Sequence, residues 1–143
     1  MRRGGFGVPL KITLAPEEKI IVNGVVIANA GGPATLSVLN RAQILRGKDI
    51  LAAEDAQTPA TRIYYVLQCL YLFPDRAADY QAAAKGFLAD YAAAAPSAAA
   101  TIAEITEQLA TRQIYPALKT AKKLLAHEKE IFAHVPDPAP AHL

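Results

Sequence analysis

Between Leu10 and Leu14 apolar and polar residues alternate, which is the period of a half-buried strand. Pro16 and Glu17 mark a turn, and Lys19-Ile20-Ile21-Val22 follows as a β-branched run. Asn23-Gly24 is the strongest short hairpin signal, because a type I′ turn needs positive φ at both central residues. Val25 to Asn29 is read as the return strand, Ala30-Gly31-Gly32-Pro33 as a second turn, and Thr35 to Leu39 as another alternating strand. Asn40-Arg41 then turns into Ala42 to Arg46. The pattern predicts five short strands in about forty residues, a meander or small barrel.

Past residue 55 the period changes to helical. Thr58 can cap free backbone N–H groups, and Pro59 suits the first helical position. Ile63 to Phe73 is apolar on nearly every side, so this helix is expected in the core, and Pro74-Asp75 ends it. Residues 76–95 are alanine-rich with Tyr80, Phe87, Leu88 and Tyr91 as the large groups, which reads as helix rather than low complexity. Thr101-Ile102-Ala103-Glu104 has the form of a capping box, with Ile102, Ile105 and Leu109 on one face. Pro116 lies near the next start, and Leu118, Ala121, Leu125 and Phe132 are expected to share a buried face. The expected class is α+β: a small five-stranded antiparallel β domain followed by three to four helices. The boundaries are 1–8 for a flexible extension, 9–55 for the β region, 56–133 for the helical region and 134–143 for a flexible Pro-rich tail.

Composition narrows the function classes. The chain has 143 residues, 52% of them hydrophobic and 20% charged, enough for a real core. Fifteen basic residues against 13 acidic give a net charge of +2, which argues against bulk coating of nucleic acid but leaves room for a local patch. Cys69 is the single cysteine, so a disulfide within the chain and a cysteine-built zinc site are excluded and a reducing compartment fits. The longest apolar stretch falls short of the roughly 20 residues of a spanning helix. Residues 1–8 carry Arg2 and Arg3 with no apolar segment behind them, so no signal peptide is expected. The expectation is a cytoplasmic protein with no membrane association.

Catalytic signals are poor. His127, His134 and His142 lack the spacing of three or four that puts two ligands on one helix face, and are read as solvated. Cys69 sits in the most apolar helix, where a thiol is inert. The Gly4-Gly5 and Gly31-Gly32 pairs form no phosphate-binding motif. Glu17-Glu18, Asp49 and Glu54-Asp55 have no matching histidine. No enzyme, metal or cofactor is expected. The basic residues Lys11, Lys19, Arg41, Arg46 and Lys48 admit two readings. They could grip phosphate or base edges of single-stranded RNA, or guard an exposed edge strand against aggregation.

Two sets of motifs resemble a known family. The segment Leu10 to Lys19 with Val22 to Asn29 resembles the start of the FlbT family of flagellar regulators. Ala42 to Ile50 and Thr58 to Tyr65 match further on, and Tyr115-Pro116-Ala117-Leu118 keeps a Tyr-x-Ala-Leu pattern. The likeness runs from about Leu10 to about Glu130. It departs at residues 1–8, ahead of the usual start, and at Ala30 to Pro33, where members often carry a basic residue. The resemblance implies a post-transcriptional regulator that binds the 5′ untranslated region of flagellin mRNA and lowers its translation and lifetime during flagellum assembly. It also implies work alongside FlaF, and some members act as activators. The β half is in turn similar in strand order to CsrA, an RNA-binding translational repressor that is a dimer with interleaved strands. That likeness implies a homodimer and gives Arg46 the role of principal RNA contact. Lys48 and Arg41 are added by proximity, and Lys11 and Lys19 as phosphate contacts. The alternative is a protein-only adaptor or chaperone-like module for FlaF or flagellin, favoured if these cations are tied up in ion pairs within the chain.

Overall fold

In a computed structural model of the chain, residues 10–134 are described, and the expected N-terminal extension and Pro-rich tail lie outside them. The chain divides into two compact units that meet between Ile50 and Leu51.

The first unit holds five antiparallel strands: β1 (Leu10–Leu14), β2 (Lys19–Val22), β3 (Val25–Ala28), β4 (Ala34–Val38) and β5 (Ile44–Arg46). They form two sheets rather than one meander. β1 pairs with β4, and β2 lies between β3 and β5. The expected strand before Ala30 ends one residue early, because Asn29 turns its side chain into the loops. The last strand is shorter than expected and starts at Ile44. Asn23 and Gly24 have φ of 51° and 84°, the left-handed pair that the β2–β3 turn demands. The Asn23 side chain also accepts from the Gln43 N–H at 2.9 Å, and the Gln43 carbonyl accepts from the Asn23 N–H at 2.8 Å. One residue thereby makes the hairpin turn and holds the approach to β5. The unit's core is Ile12, Leu14 and Ile20, with Val22, Val38 and Ile44 packed against it. Ile21 and Leu45, paired across β2 and β5, are buried on the opposite face.

The second unit holds α1 (Pro59–Leu72), α2 (Ala77–Ala94), α3 (Ala99–Ala110) and α4 (Ile114–His134), with a short 3-10 turn ahead of each of α2 and α3. Thr58 caps α1 as expected, with Thr61 returning the bond to the Thr58 N–H. α1 is the buried centre: Ile63, Tyr64, Val66, Leu67, Cys69, Leu70 and Leu72 are all inside. Gln68 is buried too, and its amide closes a two-way bond with the Leu51 backbone at 2.8 and 2.9 Å. A polar residue inside the apolar run thus ties down the entry segment.

Two helix details differ from expectation. α3 begins at Ala99, so Thr101 and Glu104 lie inside it and form no capping box. Glu104 instead faces Lys123 of α4 at 3.4 Å. On α4 the buried stripe runs through Ala117, Leu118, Ala121, Leu124 and Glu128. Leu118 and Ala121 are buried as expected, but Leu125 is only half-buried and Phe132 is 58% exposed, so the stripe leaves the predicted one after Ala121.

Candidate nucleic-acid interface

The turn after β1 positions the site. Glu17 has φ of 67° and lets the chain reverse in a short loop. Asn29 then acts as a hub. Its side-chain amide donates to the carbonyls of Leu14, Ala15 and Gly32 at 3.3, 3.1 and 2.9 Å, and its oxygen accepts from the Gly31 N–H at 3.1 Å. The Asn29 carbonyl accepts from the Glu17 N–H, and the Asn29 N–H donates to the Glu18 carbonyl. The Glu17-Glu18 and Asn29 motifs thus fasten two loops together, a structural role that sequence reading left unassigned.

Within this frame Arg46 is engaged rather than free. It stands opposite Ile20 in the β2–β5 ladder, on the face that carries the core. One guanidinium nitrogen donates to the Thr13 carbonyl and, at 3.2 Å, to the Glu18 carboxylate. The side chain is 36% exposed. Its Nε is buried with no hydrogen-bond partner among the described residues. Arg46, the principal contact that the resemblance implies, is thus only partly exposed: β5 aims the side chain along the inner face, where the Glu18 carboxylate and the Thr13 carbonyl receive it. Glu18 accepts as well from the Ala15 N–H at 2.8 Å. That backbone bond, and then Arg46, hold the Glu18 carboxyl below its usual value of 4.5, outweighing the opposing effect of desolvation.

The other four predicted contacts are exposed: Lys11 on β1, Lys19 on β2, Arg41 in the β4–β5 loop and Lys48 in the 3-10 turn after β5. Among the described residues none of them forms an ion pair. The turn that carries Lys48 runs hard against β2 at the Lys19 backbone. A Cβ on Gly47 would sit 2.8 Å from the Lys19 carbonyl oxygen, so only glycine fits there. Lys48 is also near enough to Glu18 to act on its charge. Lys11 lies on the face of β1 opposite to that of Ile12. Charge is segregated along the chain: residues 10–50 carry five basic and three acidic side chains, and residues 51–134 carry eight and nine.

The helical unit has its own polar cluster. The Glu128 carboxylate accepts from the Thr58 hydroxyl at 2.6 Å and from the Ala60 N–H at 3.0 Å, a negative charge seated on the N-terminus of α1. His127 is not simply solvated. Its two ring nitrogens meet the Tyr91 hydroxyl at 2.9 Å and the Ser97 hydroxyl at 2.8 Å. Its partner besides Ser97 is a phenol, not a carboxylate that would stabilise an imidazolium, so the trio links α2, the turn before α3 and α4 rather than activating Ser97. Burial, and then Glu128, push the Tyr91 phenol above its usual value of 10. Beside the cluster lies a cavity of about 500 Å³, lined among others by Arg62, Phe87, Tyr91, Ile131 and Phe132. Burial raises the Cys69 thiol, which fits an inert cysteine. Among the described residues no group of three or more His, Cys, Asp or Glu side chains could hold a metal ion. No described helix is long and apolar enough to cross a membrane.

The described residues thus form a small basic β unit followed by a helical unit. A family profile described as "Flagellar protein FlbT" matches residues 10–132. The chain belongs to the FlbT family. It is 37% identical over 125 residues to the probable flagellum biosynthesis repressor protein FlbT of Rhodopseudomonas palustris (strain TIE-1), covering 87% of this chain and 98% of that protein. It is 32% identical to the protein of the same description in Caulobacter sp. (strain K31), covering 89% and 98% of the two chains. It is 31% identical to the flagellum biosynthesis repressor protein FlbT of Caulobacter vibrioides (strain ATCC 19089 / CIP 103742 / CB 15), covering 89% and 92%. No solved structure matches the chain.

Proposed function

We propose that this chain is a post-transcriptional repressor of flagellum biosynthesis that binds the 5′ leader of flagellin mRNA through its β unit. The observation that carries this reading is the set of exposed, unpaired cations Lys11, Lys19, Arg41 and Lys48, on a unit richer in base than the helical one. Phosphate neutralisation by such groups gives salt-dependent affinity. Backbone contacts position the protein, and splayed bases of a leader hairpin supply specificity. Arg46 has a changed role in this account. It fastens β5 to the β1–β2 turn and so holds the turn that carries Lys48 against β2, acting as a positioning residue rather than the principal contact. Occupying the leader in the cytoplasm hinders ribosome loading and leaves the message open to decay.

A second reading, a protein-only adaptor for FlaF or flagellin, is favoured by two observations. Arg46 is tied in an ion pair, and Phe87, Ile131 and Phe132 leave apolar surface around the helical cavity. Titration of the purified chain with its own flagellin leader separates the two. Binding well above that of a scrambled leader supports the repressor reading. Equal binding of both RNAs removes it and leaves the adaptor.

A further inference from the structure

The two sheets of the β unit are closed unevenly. Cross-strand pairing puts Val25 and Ile27 on the same face as Val22 and Ile20, and Leu10 and Leu36 on the same face as Val38 and Ile12. These are the faces that meet in the core. Yet Val25 is 60% exposed, Ile27 41%, Leu10 54% and Leu36 36%. Val26, on the other face of β3, is 61% exposed. Every residue of β3 is exposed, although none is polar.

The outer edges of the sheets are not equally protected. β1 carries Lys11, β4 follows directly on Pro33, and β5 ends in the inward-turned Arg46. Charges, prolines and inward-pointing charges are the devices that keep edges from pairing. β3 has none of them, and one of its edges has no ladder partner among the described residues.

We propose that β3 pairs antiparallel with β3 of a second copy of this chain, joining two three-stranded sheets into one of six strands. The absence of charge singles out a second copy. Nothing on Val25-Val26-Ile27-Ala28 selects a partner of opposite charge, and nothing repels an identical strand. Antiparallel self-pairing sets large apolar side chains against their equals on both faces. It is isologous, so the assembly closes at two and leaves no unguarded β3 edge. The apolar surface is there to be covered: Val25, Val26 and Ile27 are 60%, 61% and 41% exposed on the strand that would pair, and burying such groups is what drives a subunit contact. Each of the five strands already has a ladder partner within its own chain, so this contact adds strands at an edge and exchanges none.

The test is the solution mass of the full chain at tens of micromolar by sedimentation equilibrium. The expected mass is twice the 15.2 kDa of one copy. The double variant Val26→Lys/Ile27→Lys, altered only at exposed positions, should halve it with an unchanged circular dichroism spectrum. Phe132→Lys on the helical unit should leave the dimer intact. If the double variant does not fold, hydrogen exchange of the wild type decides. Amides of residues 25–28 should lose protection on dilution while those of α1 keep theirs. A monomeric wild type overturns the proposal. So does a dimer that survives the β3 charges, or β3 exchange that ignores concentration.

Discussion

The Arg46 guanidinium stands 3.2 Å from the Glu18 carboxylate and also donates to the Thr13 carbonyl, so one side chain of β5 holds the turn that joins β1 to β2. The pair is partly exposed and its Coulomb attraction is screened. Its value lies in geometry: the two sides of the β1–β2 turn are held by one planar cation from a strand far along the sequence.

Arg46→Ala therefore weakens the fold as well as any RNA contact. We expect the melting temperature to fall by a few degrees, and RNA affinity to recover on cooling to where the variant is fully folded. Thermal melts combined with binding at two temperatures check this. An unchanged melting temperature with lost RNA binding would return Arg46 to the role of direct contact.

Glu18 makes the stability of this unit pH-dependent. Its folded pKa lies below 4.5, so its contribution is fully present above that value and is lost as pH falls through the folded value. Glu18→Gln should remove that part of the acid sensitivity and leave the neutral-pH fold in place. Denaturant melts of both proteins from pH 3 to pH 7 measure the difference. Parallel acid profiles would show that the carboxylate contributes nothing.

Gly47→Ala should disturb the same region through packing alone. The added methyl would meet the Lys19 carbonyl oxygen at 2.8 Å, and backbone cannot swing aside as a flexible side chain could. A loss of about 1–3 kcal/mol is expected, typical of overpacking. Urea melts of the full chain, followed by amide signals of β2 and β5, should show it. A stability equal to wild type would mean that the turn after β5 is free to move off β2.

In the helical unit, Leu70 is 3% exposed, and Leu70→Ala should cost about 2–5 kcal/mol. Glu128→Ala should cost about 1–3 kcal/mol, because the Ala60 N–H and the Thr58 hydroxyl lose an ionised acceptor at the head of α1. Chemical denaturation measures both, and a Glu128→Ala protein as stable as wild type would show that water replaces the carboxylate there.

Local signals were legible in the sequence where one residue type has one physical use. Asn23-Gly24 dictates a left-handed turn, and Thr58-Pro59 dictates a helix start. The run from Ile63 to Leu72 has no face that could stay wet. Patterns that depend on tertiary partners were not legible. Thr101 and Glu104 have capping-box spacing, yet the turn Pro96–Ala98 starts the helix earlier and Lys123 takes Glu104. The stripe of α4 passes through Leu124 rather than Leu125 because Glu128, a charged residue that sequence would place outside, turns inward to meet α1. His127 has its partners Ser97 and Tyr91 thirty and 36 positions away, a separation that spacing rules do not reach. For the candidate interface, five cations were visible as a group. The sequence did not show that Glu18, 28 positions before Arg46, removes one of them from the free set.

The most direct test of the central claim is the salt dependence of binding to the flagellin 5′ leader, for the wild type and for a variant with Lys11, Lys19, Arg41 and Lys48 all changed to alanine. If those four groups neutralise phosphates, the logarithm of the wild-type binding constant should fall with the logarithm of salt at a slope of about −3. The variant, folded by circular dichroism, should lose nearly all of both slope and affinity. A wild-type slope near zero, or a folded variant that binds the leader as the wild type does, would contradict the account.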